Sequence, residues 1–259
     1  MSRYSLTGLY QGAVGLLNYR RLFEQDALAT VVGNTLTWVT AVVGVTIVIS
    51  LALAQLLDAA FPGRRLVRWA IIVPWATSLI VTAKLFVWVY DYYFGALNHL
   101  LVSLRLRTGP VDWLGDDATI MAAMIAVGVF VSLPFTTYVL LAGLATIPGE
   151  VYEAARLDGA SPWQTYRSVT LPLLGPALLV ATVLNLIYVF NSFPIVWTLN
   201  DRNPGFAHDT LVTYLYKIAF KSALRDVGLA AALGVLNVAL VLMAVLVYLR
   251  TVRWQDAEA

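Results

Sequence analysis

Residues 27–57 read ALATVVGNTLTWVTAVVGVTIVISLALAQLL, with Asp26 before them and Asp58 after. No formal charge interrupts these 31 residues. A membrane span needs about 20 apolar residues, each rising about 1.5 Å, to cross a hydrocarbon core about 30 Å thick. A buried strand of a soluble parallel sheet is also unbroken and apolar, but only over about 4–8 residues. An outer-membrane strand alternates polar and apolar over about 10 residues, whereas residues 176–184, PALLVATVL, do not alternate. The stretch reads as a transmembrane helix.

Four further stretches repeat the pattern. Arg68 to Asp91 encloses 22 residues broken only by Lys84, Asp117 to Glu150 encloses 32, Arg167 to Asp201 encloses 33, and Asp226 to Arg250 encloses 23. An intramembrane charge is costly enough that such gaps set the register of the spans. Five spans are predicted, near 32–56, 67–90, 119–143, 171–194 and 227–249. Composition agrees: over 259 residues, 60% are hydrophobic and 12% charged, with a mean hydropathy of +0.77. Globular domains run about 45–50% apolar and about 25% charged, so this chain has too little polar surface to cover itself in water. Disorder and a disulfide-rich secreted module are excluded with it. Cysteine is absent, which removes thiol chemistry and thiolate metal sites. A net charge of +2 gives no field for gathering nucleic acid. The fold class is an all-α, polytopic helical bundle in the lipid bilayer.

Orientation is weakly marked. If Arg64, Arg65, Arg68, Arg156, Arg167, Arg250 and Arg253 are cytoplasmic, the other side holds Arg3, Arg20, Arg21, Arg105, Arg107 and Arg202, a slight positive-inside bias. Lys217, Lys221 and Arg225 near the last span blur it. With five spans and a cytoplasmic carboxyl end, residues 1–30 form an extracytoplasmic or interfacial segment, and residues 31–259 the transmembrane domain. No cleavable signal precedes residue 30 to carry that segment across. A peripheral helix is expected before the Gly109–Pro110 turn.

The connection from Ile147 to Pro172 is the most structured. Pro148 suits a first helical turn, and Glu150 and Glu153 fall on the favourable side of that helix's dipole. Asp158-Gly159 ends it, with Gly159 free to take positive φ. Ser161, Pro162 and Gln164 start a second helix with a capping box. On physics alone this is either a well-capped linker or a docking element for a soluble partner.

Here the chain resembles a known family. Glu153-Ala154-Ala155, Asp158-Gly159-Ala160 and Leu171-Pro172 look like the EAA motif of permease subunits of ABC importers. Gly15-Leu16-Leu17-Asn18-Tyr19, Asn34-Thr35 and Trp38 resemble the early region of the carbohydrate-uptake branch. Phe190-Asn191-Ser192-Phe193 and Thr213-Tyr214-Leu215-Tyr216 resemble its late spans. The resemblance covers essentially the whole chain and implies the fold of a type I importer permease. Six spans are usual there, and Met1-Ser2-Arg3-Tyr4-Ser5-Leu6 resembles the tail just after the first. A misplaced gene start, a truncation or a five-span variant each account for this. The first is the expectation, with the DNA upstream of Met1 encoding another apolar stretch of about 20 residues in frame.

What the resemblance implies is a channel-forming subunit, not itself an enzyme, that moves a sugar or related small solute across the inner membrane. Its implied partners are a second homologous permease, two ATPase subunits holding ATP and Mg, and an extracytoplasmic solute-binding protein. Residues 147–170 become the coupling loop. Glu153, Ala154, Ala155, Leu157, Asp158 and Gly159 take its central positions, with Glu153 meeting basic groups of the ATPase, Leu157 burying there and Gly159 permitting the turn.

Residue types along the spans suggest a pathway. Asn185, Tyr188, Asn191 and Ser192 form a polar stripe on an apolar helix, suited to a neutral sugar or equally to interhelical hydrogen bonding. Ser132, Pro134, Thr136, Thr137 and Tyr138 form a second polar patch, where Pro134 is expected to bend the helix. Gly228 with Ala232, and Ala230 with Gly234, give the spacing of tight helix packing. Lys84 either reaches back to the interface or faces a partner. His99 and His208 lack metal-ligand spacing to any strong ligand, and there is no phosphate-binding loop, so the chain is expected to hold no cofactor and any ATP hydrolysis is expected in a partner. An ion-coupled secondary transporter and a non-transporting membrane scaffold are the alternatives. The absence of carboxylates deep in the expected spans argues against proton coupling.

Overall fold

The computed structural model describes residues 2–4, 10–13, 15–201, 203, 205–221 and 226–251. Met1, Ser5, Leu6, Arg202, Arg225 and Arg253, named above, lie outside the described residues. A short antiparallel ribbon, β1 (Ser2–Tyr4) with β2 (Tyr10–Ala13), precedes an otherwise helical chain. After α1 (Leu17–Phe23), the charge-free stretch forms α2 (Ala27–Asp58). Its 32 residues extend about 48 Å at the α-helical rise.

The region expected as a span at 67–90 is not one helix. It is α3 (Arg64–Ala76) and α4 (Leu79–Val89), parted by Thr77 and Ser78 with ψ of 152° and 139°. Pro74 removes an N–H from the last turn of α3, and two extended residues end the ladder. Hydropathy sums through such a break without registering it. The peripheral helix is present as α5 (Ala96–Ser103). Within it, Asn98 is buried and ties the flanking loops together, donating to the carbonyls of Asp91, Tyr92 and Val111 and accepting from Trp113 Nε1 at 2.9 Å.

The next span is α6 (Ile120–Leu144), which continues through Pro134. It is followed by α7 (Gly149–Leu157) and α8 (Pro162–Thr165). A π-helical turn (Tyr166–Thr170) and α9 (Leu171–Leu173) then lead into α10 (Gly175–Phe190) across a bend of 65°. The expected span to residue 194 therefore stops at Phe190. Pro194 sits in the first turn of α11 (Phe193–Leu199) and cannot donate back to α10. The chain closes with α12 (Leu211–Tyr216), a second π-helical turn (Lys217–Lys221) and α13 (Val227–Thr251). Among the described residues, α2, α6 and α13 each suffice alone to cross a membrane, and the bent pair ending in α10 makes a fourth.

Three apolar clusters follow one another along α2. Leu28 and Val31 pack with Leu22, Leu211, Tyr214, Leu229 and Leu233. Trp38, Val39, Val42 and Val43 pack with Met124, Val127 and Phe190. Ala54 and Leu57 pack with Leu140, Leu144, Leu174 and Ala181. The two longest-buried partners, α2 and α6, approach closely because Gly128 has no side chain: a Cβ there would lie 2.6 Å from the Trp38 ring. Large apolar side chains on α2, α4 and α13, such as Val48, Trp88, Val238 and Leu246, point outward. Lipid solvates that face as well as a core would.

Candidate functional site

The connection after α6 is a helical hairpin built by local rules. Pro148 precedes the first turn of α7 as its cap, one residue before the helical position expected, with ψ of 139°. At the other end Gly159 takes φ +75°. Its N–H donates to Arg156 O, and that of Ala160 donates to Ala155 O, both at 3.0 Å. This is the Schellman arrangement, and it needs a left-handed residue at position 159. Ser161 then restarts the helix: its Oγ accepts from Gln164 N at 3.3 Å, and its N–H donates to Gln164 Oε1 at 2.8 Å. Glu153, Ala154, Leu157 and Asp158 are exposed and Ala155 is buried. Leu157, at 88% exposure, is an apolar side chain presented to the outside at the tip of a rigid turn.

The polar stripe of α10 is divided. Asn185 is buried and donates Nδ2 to Thr136 Oγ1 at 3.4 Å, and Thr136 Oγ1 donates to Ser132 O at 3.0 Å. Asn185, Tyr188 and Ser132 line a cavity of about 230 Å³ with Trp75, Phe135 and Leu184. Ser132 Oγ is buried with no hydrogen-bond partner among the described residues. Asn191 and Ser192 lie outside that cavity. Asn191 caps the end of α10, donates to Ile187 O at 2.8 Å and accepts from Asn237 Nδ2 of α13 at 3.4 Å. Ser192 follows the helix end and is buried. Pro134 is buried within α6, between the cavity residues Ser132 and Phe135. Tyr138 turns away and donates to Arg68 O at 2.9 Å. Sequence reasoning missed Trp75, an apolar-looking residue of an expected span. Its only signal was the neighbouring Pro74 and Ser78.

The opposite end of α6 meets the segment between α11 and α12. Asn203 donates to Leu114 O at 3.2 Å, and His208 Nε2 lies 2.8 Å from Asp117 Oδ1. Residues quoted for the family resemblance hold this segment. Asn34 Nδ2 donates to Ala207 O and Asp209 O, and Thr35 Oγ1 accepts from Leu211 N at 2.9 Å. Trp38 Nε1 donates to Val189 O at 3.0 Å. Asp209 is buried, accepts from Asn200 Nδ2 at 3.1 Å and has Lys217 Nζ 2.7 Å from its other oxygen. Burial first, and then the Asp209 carboxylate, push the Tyr214 hydroxyl up from its ordinary pKa. No cluster of three metal-ligating side chains occurs among the described residues.

Residues 46–256 match the family described as the binding-protein-dependent transport system inner membrane component. A "probable ABC transporter permease protein" of Brucella suis biovar 1 is 41% identical over 90% of this chain and 80% of its own length. The trehalose/maltose transport system permease protein MalF of Thermococcus litoralis is 34% identical over 93% of this chain and 80% of its own. Among solved structures, a chain of a bacterial ABC transporter involved in the import of the acidic polysaccharide alginate superposes with a TM-score of 0.84. It is 24% identical, and the match covers 95% of this chain and 86% of that one. That likeness is one of fold.

Proposed function

The chain belongs to the family of inner membrane components of binding-protein-dependent transport systems, and from that premise we propose that it is the channel-forming subunit carrying a sugar or related small solute. It is a multi-pass inner-membrane permease, so the energy comes from elsewhere. ATP hydrolysis with Mg in two partner ATPase subunits drives the cycle, a second homologous permease completes the channel, and an extracytoplasmic binding protein delivers the solute. The end carrying α7 faces the cytoplasm.

One observation carries this reading: the exposed hairpin and the cavity wall are parts of one continuous helical path. From Pro162 the backbone runs through the π-helical turn and α9, bends 65° before Gly175, and continues as α10 to Asn185 and Tyr188. Ridged helices transmit displacement because packed interiors compress little. A partner that seizes Leu157 and pairs Glu153 with basic groups pulls on that path. The bend passes the movement to α10 and alters the cavity where Asn185, Tyr188 and Ser132 face the solute. Amide, hydroxyl and aromatic groups suit a neutral, hydroxyl-rich molecule, and relatives named for trehalose and maltose transport favour the same class. The test is reconstitution in lipid with the ATPase subunits. Solute-stimulated hydrolysis that requires this chain supports the reading. Uptake that follows an ion gradient, with no ATPase captured, overturns it.

A further inference from the structure

A second cavity, of about 290 Å³, lies at the end of the molecule opposite the hairpin. It is separated from the transmembrane cavity by about half the length of α6, whose middle residues Ser132 and Phe135 line that cavity. It is at the lower end of the roughly 300–1,000 Å³ range of small-molecule sites, room for one ring rather than a long chain. Its floor is the buried pair Asp209–Lys217, whose side chains are 1% and 14% exposed. Burying two charges costs more than their attraction returns unless their remaining valences are used. Some are not. Lys217 donates one N–H to Gly205 O at 2.7 Å and sets its charge against Asp209, but an ammonium carries three donors. Asn203 spends its amide N–H groups on Leu114 O and on Asn200 Oδ1, and its carbonyl oxygen has no partner among the described residues. At the rim, Asp201 and Lys221 are exposed and free of ion pairs among the described residues. Trp197 and Phe206 supply aromatic surface.

The spare groups among the described residues are therefore mixed: acceptors on Asn203 and Asp201, donors on Lys217 and Lys221. Neighbouring hydroxyls of a sugar, each both donor and acceptor, match such a set. Among the described residues the rim charges are one of each sign, which favours neither an anion nor a cation. We infer that this outer cavity is a binding subsite for a single neutral, hydroxyl-rich sugar ring, occupied before the solute reaches the transmembrane cavity. The inference rests on the proposed transport of a sugar, and it adds a site that transport through the inner cavity does not itself require.

The chain contains no cysteine, so Gly205→Cys, beside the cavity where an added Cβ meets nothing within 4 Å, gives a single thiol reporter in the full chain reconstituted in phospholipid nanodiscs. Trehalose, maltose and xylose are the neutral probes and glucuronate the anionic one. With a protecting sugar at about twice its dissociation constant, maleimide labelling should slow about threefold, as one plus the ratio of ligand to dissociation constant requires. Adding Asp201→Ala and Lys221→Ala, both at exposed positions, should raise the protecting concentration about tenfold, the effect of losing charge-assisted hydrogen bonds. Adding Tyr188→Ala instead should leave protection intact. Protection by no neutral probe, protection by glucuronate alone, or full protection in the Asp201/Lys221 variant each overturns the inference while leaving inner-cavity transport to its own test. Normal protection with no ATP-driven uptake would instead defeat the transport reading and retain the subsite.

Discussion

Replacing Gly159 isolates backbone strain from every other effect. Its φ is +75°, and a Cβ built there meets nothing within 4 Å, so a larger residue suffers no clash. What it suffers is the left-handed conformation itself, about 1–2 kcal/mol for an ordinary L-residue and toward about 3 kcal/mol for a β-branched one. Asparagine tolerates that region better than other non-glycine residues. The series Asn, Ala, Val should therefore damage the hairpin in that order, although alanine is the smallest of the three. If the turn relaxes to escape about 2 kcal/mol of strain, the fraction presenting Leu157 and Glu153 correctly falls as much as about 30-fold, and apparent ATPase affinity falls with it. The spans keep their own cores, so membrane insertion and yield should not change. Capture of the partner ATPase on immobilised chain, with insertion followed in parallel, reads both quantities. A ranking by side-chain size, with alanine mildest, would refute the strain argument, and equal capture by all three variants would refute the docking role.

Glu153→Lys should insert normally and cut ATPase capture at least about tenfold, since a mispaired charge at an interface costs several kcal/mol; Leu157→Ser should weaken capture by a separate, salt-insensitive route. Asn185→Ala and Tyr188→Ala should raise the solute concentration that half-stimulates hydrolysis about 2–10-fold, at about 0.5–1.5 kcal/mol per lost hydrogen bond. Asn191→Ala, outside the cavity, should leave that concentration unchanged and lower thermal stability slightly by releasing Asn237. Gly128→Val should destabilise the α2–α6 contact by about 1–3 kcal/mol, seen as a lower unfolding temperature in detergent and not as a change in solute preference.

The long spans were legible because α2, α6 and α13 run charge-free and apolar beyond about 20 residues, with Asp58 and Arg250 only at the ends of α2 and α13, and no tertiary information is needed to see that. The hairpin was legible for a different reason: Gly159, Ser161 and Gln164 act on backbone groups within a few residues of themselves. Two things were not. The breaks at Thr77–Ser78 and after Phe190 carry only a pair of uncharged polar residues each, so a window of about 20 residues averages over them and over the prolines beside them. The division of the α10 stripe depends on α10 ending at Phe190, after which a spacing of three or four residues no longer defines a face. Asn34, Thr35 and Trp38 stood out in the sequence without a visible task, because the groups they bond lie more than 150 residues further along the chain.

Those long-range bonds also distribute stiffness between the two ends of the molecule. At the outer end, the segment before α12 is held by Asn34, Thr35, Asn200 and Lys217, side chains drawn from three separate elements. At the inner end, the turn at Gly159 is closed by its own backbone and by Ser161 with Gln164, partners within five residues. A locally closed hairpin moves as a unit, because among the described residues its side-chain hydrogen bonds are local. An end clamped from several elements moves only when those elements move together. Under the coupling proposed above, a soluble partner pulling on the hairpin would have its movement turned by the bend before α10 into a change at Asn185 and Tyr188. The outer end, held by its clamps, gives α10 something to move against.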